Sequence, residues 1–115
     1  MDDMLLVDRA NAIGRLLTEH KADDVIVLDI RSQNAFTDFF VIGTASSGTH
    51  AEALERVVRD FARENGLDVA LKTRPRGFGQ SISPEEWRLV DLGDIVVHIM
   101  SETARSFYEL ERLWS

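Results

Sequence analysis

Asp91, Asp94 and His98 fall within eight positions in the stretch VDLGDIVVHIM, Val90 to Met100. Two carboxylates and an imidazole are what a hydrolytic metal centre or a proton relay requires. The spacing argues against that chemistry. On one strand, Asp94 and His98 would stand about 13 Å apart at roughly 3.3 Å per residue, whereas zinc holds its ligands near 2 Å. Leu92 and Gly93 instead read as a tight hairpin loop between WRLVD and DIVVHIM. A two-residue turn sets Asp91 opposite Asp94, where aspartates cap free turn amides. It sets Trp87 opposite His98, so the histidine packs beside an indole, between Val96 and Met100. The stretch reads as a hairpin, not an active site. Its tip carries Leu92, a large apolar side chain. With Trp87 near, it could form an apolar anchor rimmed by acid, as in a protein-binding patch. The competing reading is that both side chains close the core.

Two other stretches have reactive groups. GTASSGTH, Gly43 to His50, joins a strand to a helix start, with glycines spaced as in a phosphate-binding loop. Such a loop needs a lysine after its second glycine, and here Thr49 holds that place. The helix amides alone could attract an anion only weakly. Ser46 or Ser47 with His50 could form a nucleophile and base, but no residue nearby orients the histidine or supplies oxyanion donors. His20 reads as the last turn of a helix, where an imidazole complements the dipole.

The elements that must position these residues follow from periodicity. Leu6, Ala10, Ile13 and Leu17 recur as one face of a first helix. Val25 to Ile30 is a β-branched run, apolar on both faces, expected in the middle of a sheet covered on both sides. RSQNAFTD connects it to a second buried strand, FFVIGT. Thr49 and Glu52 form a capping box, Gly66 ends that helix, and Ala51, Leu54, Val58 and Phe61 make its buried stripe. LDVALKT alternates as a half-buried strand, with Leu67, Val69 and Leu71 on one face. Residues Arg74 to Glu86 carry both prolines and read as an exposed loop. Two strands follow, and Ser101 caps a last helix in which Phe107, Leu110 and Trp114 share a face. The expectation is one α/β domain over residues 1–115, a mixed five-stranded sheet flanked by three helices.

Composition narrows the function. The 115 residues include no cysteine, which removes disulfides, thiolate metal sites and thiol nucleophiles together, and fits a reducing cytoplasm. Thirteen basic against 20 acidic residues give a net charge of −7, repelled by phosphate backbones and anionic membranes. Little direct nucleic-acid contact is expected, and the one basic cluster, Lys72, Arg74 and Arg76, reads as a solvated loop. The start is acidic where a leader would be basic, and no apolar run approaches the roughly 20 residues that span a bilayer.

Three blocks, TDFFVIGTASSGTHAEAL, WRLVDLGDIVVHIM and SFYELERLWS, agree in order and spacing with one family. From about Val25 to Ser115 the chain resembles the ribosomal silencing factors, also called Iojap or RsfS; the first helix matches only in type. The resemblance implies a nucleotidyltransferase-like fold without an enzyme's activity and without a cofactor. It implies a translation repressor that binds the large ribosomal subunit through ribosomal protein number fourteen and blocks joining of the small subunit. Homodimers are also known in the family. The family's contact tryptophan, and the leucine after its aspartate, fall on Trp87 and Leu92, with Asp91, Gly93 and Asp94 around them. Where the family has a short glutamate-glycine segment before the tryptophan, this chain has RPRGFGQSISPEEW. The competing class is a small nucleotide-binding or nucleotidyltransferase-like enzyme using Gly43 to Thr49. That chemistry needs two or three clustered carboxylates for divalent metal, and no aspartate-x-aspartate pair follows the loop on a strand.

Overall fold

The computed structural model describes residues 3–33, 37–69, 86–109 and 112. In chain order they form α1 (Asp3–Glu19), β1 (Asp23–Asp29), a single 3-10 turn (Arg31–Gln33), β2 (Phe39–Ala45), α2 (Gly48–Glu64), β3 (Trp87–Asp91), β4 (Ile95–Ser101) and α3 (Glu102–Tyr108). The strands make one mixed sheet in the order β1-β2-β4-β3. Its inner pair, β2 and β4, is parallel, and both outer pairs are antiparallel.

Alternation divides the sheet into two apolar layers. Phe39, Val41, Ala45, Ile95, Val97 and Ile99 face α1 and α2, joined by Leu6, Ala10, Ile13 and Leu17 of α1 and by Ala51, Leu54 and Val58 of α2. Phe40, Ile42, Val96, Met100 and Trp87 face the other way, toward Ala104 and Tyr108 of α3. The α1 stripe is therefore the expected one. In α2, Ala51, Leu54 and Val58 are fully covered, and Phe61 packs partly buried against them.

Several expectations are corrected. Among the described residues the sheet has four strands, not five; Leu67, Asp68 and Val69 are in no strand, and the rest of LDVALKT lies outside the described residues. So do residues 74–85 of the expected loop and the basic residues Lys72, Arg74 and Arg76. The run Val25–Ile30 contributes to β1, which among the described residues is an edge strand and not a central one. It is apolar on both sides because Val25 and Val27 pack toward α1 while Ile26 and Leu28 join the second layer. Coverage of both faces says nothing about neighbours within the sheet. His20 lies one residue beyond α1. In α3, Phe107 is 76% exposed, and the inward residues are Ala104 and Tyr108; Leu110 and Trp114 lie outside the described residues. Among the described residues no helix is long and apolar enough to cross a membrane.

The ends of α2 show how local chemistry sets the elements. Its N-cap is Ser47, not Thr49: the Ser47 hydroxyl accepts from the His50 amide at 3.0 Å. At the other end Gly66 takes φ +69°, its amide donates to the Arg63 carbonyl, and Leu67 donates to Ala62. These two bonds are the Schellman pattern, with glycine in the left-handed position that a side chain would strain. The reassigned cap has a measurable consequence. Ser47→Ala should cost about 1 kcal/mol in urea unfolding, and Thr49→Ala under about 0.5 kcal/mol, as for an exposed residue without such a role. The reverse order would return the cap to Thr49.

Candidate functional site

The hairpin turn is Gly93–Asp94, one position later than the spacing suggested. Leu92 N–H donates to the Ile95 carbonyl at 2.8 Å, closing a two-residue turn around Gly93 and Asp94. Gly93 has φ +90°, the positive value that the first residue of a right-twisted hairpin turn takes. The ladder runs from Asp91 opposite Val96 to Trp87 opposite Met100. Asp91 therefore does not face Asp94, and Leu89, not Trp87, lies opposite His98.

Four hydrogen bonds fix this turn. The Asp91 carboxylate accepts the Gly93 amide at 2.8 Å, as expected of an aspartate at a turn. The other three come from the entry to β2, which spacing along the chain could not reveal. Thr37 Oγ1 donates to the Gly93 carbonyl at 2.9 Å. The amides of Asp38 and Phe39 both donate to the Asp94 carbonyl, at 3.1 and 3.0 Å. Asp94 thus serves the turn through its backbone, while its side chain is exposed. Leu92 is not a free tip residue: it is half-buried and packs against the α1/α2 core.

Trp87 lies on the opposite layer. Its side chain is 3% exposed and belongs with Phe40, Val96 and Met100. Five positions separate it from Leu92, an odd number, and the two side chains go to opposite faces of the sheet. A single apolar patch made by both is not present. The expected neighbour of the indole is there, reached diagonally: Trp87 Nε1–H donates to His98 Nδ1 at 3.1 Å. Tyr108 lies against the same indole, with ring centroids 5.0 Å apart, and the edge of Phe40 meets the His98 ring at 4.5 Å.

The indole can only donate, so His98 Nδ1 must be an unprotonated acceptor and the ring proton sits on Nε2. That Nε2 has no partner among the described residues. Burial pushes the imidazole down to a pKa of about 3, so it is neutral. On the other face Arg88 reaches α2, its Nη1 donating to Glu55 Oε1 at 2.6 Å. Burial alone would raise the Glu55 carboxyl, but hydrogen bonds from Arg88 and Arg59 outweigh it and hold the group below its ordinary range. Neighbouring residues of β3 are thus tied down on both sides of the sheet.

The other reactive-looking groups also have structural bonds. His50 Nδ1 accepts the Ser46 amide at 2.9 Å, and its Nε2 lies 2.8 Å from the His20 carbonyl. Ser47 is committed to its cap. Among the described residues no three metal-ligating side chains come together.

The same chain, compared with known proteins, matches over residues 5–115 the family described as ribosomal silencing factor during starvation. It belongs to that family. The match extends into α1, further than the resemblance from Val25 onward. The ribosomal silencing factor of Bacillus subtilis is 36% identical over 96 residues, covering 84% of this chain and 75% of its own. That of Treponema pallidum is 36% identical over 108 residues, covering 91% and 88%. A crystal structure from Chromobacterium violaceum, 30% identical, superposes with a TM-score of 0.73 over 91% of this chain and 85% of that one. Ribosomal silencing factors are non-enzymatic translation regulators.

The buried imidazole makes stability depend on pH in a stated direction. In the unfolded chain it protonates near 6.5, in the fold only near 3. Between those values the unfolded state binds more protons, so stability is full above about pH 6.5 and is lost as pH falls toward 3. From pH 7 to pH 5 this one group should remove about 2 kcal/mol. Urea unfolding of wild type and His98→Asn at both pH values checks this. Equal losses in the two proteins would mean that His98 does not titrate as its burial requires.

Proposed function

We propose that this chain is a cytoplasmic translation repressor that docks on the large ribosomal subunit, through ribosomal protein number fourteen, and keeps the small subunit from joining. Family membership over residues 5–115 is the observation that carries the reading. The shape of the turn supports it. Asp91, Leu92, Gly93 and Asp94 form a rigid projection with an apolar residue half-available beside two carboxylates. Such a projection suits a basic protein surface better than RNA, since a chain of net charge −7 gains little from phosphate. Obstruction of joining needs only bulk at the interface, so no catalytic group enters. Trp87 takes part from behind, as a buried support of β3. A homodimer of free protein is compatible with this role.

The nucleotide-binding alternative fares worse on the geometry. Gly43 lies inside β2, where a Cβ would meet Leu17 at 3.3 Å and Ala22 at 3.4 Å, so it serves close packing of α1 on the sheet and not a phosphate cradle.

The expected outcome is cosedimentation with free large subunits and absence from joined ribosomes. Purified subunits mixed with excess protein should fail to associate; normal joining at saturating protein overturns the reading. Leu92→Ala should weaken binding about thirtyfold, as truncation of an interface anchor does at about 2 kcal/mol. Its stability loss should stay below that of Val90→Ala, because Leu92 is only half-buried and Val90 wholly so. Wild-type affinity in a destabilised Leu92→Ala would make Leu92 a core residue only.

A further inference from the structure

Trp87 and His98 put three side-chain nitrogens into a mainly apolar layer. Buried polar groups are retained without cost only when their bonds are complete, and this pair is incomplete, since His98 Nε2 has no acceptor among the described residues. An aliphatic residue at position 98 would remove the unpaired Nε2 but would take this acceptor from the buried indole N–H. What the imidazole supplies that an aliphatic side chain cannot is one acceptor, Nδ1, aimed at the indole N–H at 3.1 Å.

That bond acts where the strand is most in need of a fixed seat. β3 is only five residues long and lies at the end of the described strand order. Its first residue is held through His98 below the sheet, and its second through Glu55 above it, at 2.6 Å. Its last residue, Asp91, caps the turn that carries Leu92. The indole is wide, and a change in its rotamer would lift the strand from Tyr108 and Met100, which it contacts within the same layer.

From this geometry we infer that His98 is a positioning residue for the ribosome contact: by accepting the indole N–H it fixes Trp87, and through Trp87 the seat of β3 and its turn. The inference rests on the ribosome-binding reading above. It requires an acceptor at the place of Nδ1. Asparagine provides one, because its Oδ1 occupies the corresponding position; leucine does not.

Binding to purified large subunits is measured by cosedimentation for wild type, His98→Leu and His98→Asn, at a temperature where circular dichroism shows each folded. His98→Leu should bind about tenfold more weakly, the loss of one well-placed hydrogen bond's worth of orientation. His98→Asn should recover most of that loss. In parallel, the Trp87 indole N–H proton resonance, assigned by its absence in Trp87→Phe, should move upfield in the leucine variant and stay near the wild-type position in the asparagine variant. Affinity within twofold of wild type in folded His98→Leu overturns the inference, as does an asparagine variant no better than leucine. Should His98→Leu not fold, Trp87→Phe removes the same bond from the donor side, and wild-type affinity in that protein overturns it equally. Failure of wild type to cosediment defeats the ribosome reading. An unshifted indole resonance in His98→Leu defeats the positioning role itself, so the two failures are distinct.

Discussion

The carbonyl of Asp94 accepts from two successive amides, Asp38 and Phe39, and the arrangement of the sheet follows from that contact. It starts the parallel pairing of β2 with β4 at Phe39 opposite Ile95. A slip by one residue would turn Phe39, Val41 and Ala45 out of the α1/α2 core and put Phe40 and Ile42 into it, since side chains alternate. Every residue of β2 is buried, so neither face could tolerate the exchange. The Thr37 hydroxyl adds a third bond to the same turn, on Gly93. The constraint that sets the register of the core is thus also the constraint that holds the candidate contact loop still.

Much of this is legible in the sequence where a pattern counts faces, and illegible where it must count partners. The α1 stripe from Leu6 to Leu17 and the α2 stripe from Ala51 to Phe61 are single-face signals, and both face the core, with Phe61 only partly buried. Val25 to Ile30 is a two-face signal, which reports cover above and below the sheet but not whether a strand lies on both sides. The hairpin shows the same limit. Shifting the turn from Leu92–Gly93 to Gly93–Asp94 moves the register by two, and alternation is blind to a shift of two. That is why the pattern sets His98 beside Trp87 correctly and still mistakes the residue opposite each. The α2 cap offers three hydroxyls within four positions, Ser46, Ser47 and Thr49, and the glutamate at 52 points to the wrong one. The separation of Trp87 from Leu92 follows from the same shift: with the turn at Gly93–Asp94, Leu92 continues the alternation of β3 and goes to the face opposite Trp87.

The residue types that suggest chemistry in the sequence are structural in their bonds. Asp91 caps a turn amide, Ser47 a helix, His50 bridges the end of α1 to the start of α2, and His98 holds an indole. Asp29 likewise is engaged, its carboxyl held below the usual range by hydrogen bonds from the Arg31 side chain and amide.

A rigid turn of this kind binds under particular physical conditions. Leu92 is half-buried in the free protein, so only part of its surface remains to be removed from water by a partner, and its gain on binding is correspondingly less than a fully exposed leucine would give. The compensation lies in what does not have to be ordered. Four hydrogen bonds already fix the turn, so association loses little chain or side-chain freedom there, and that loss is a major cost opposing binding wherever a contact loop is loose. In the proposed contact the carboxylates of Asp91 and Asp94 would add attraction that falls with ionic strength and governs approach and orientation more than final affinity. A contact at this turn, as proposed, would be directed by charge, anchored by a small apolar surface, and dependent on β3 staying where Trp87 and Arg88 hold it.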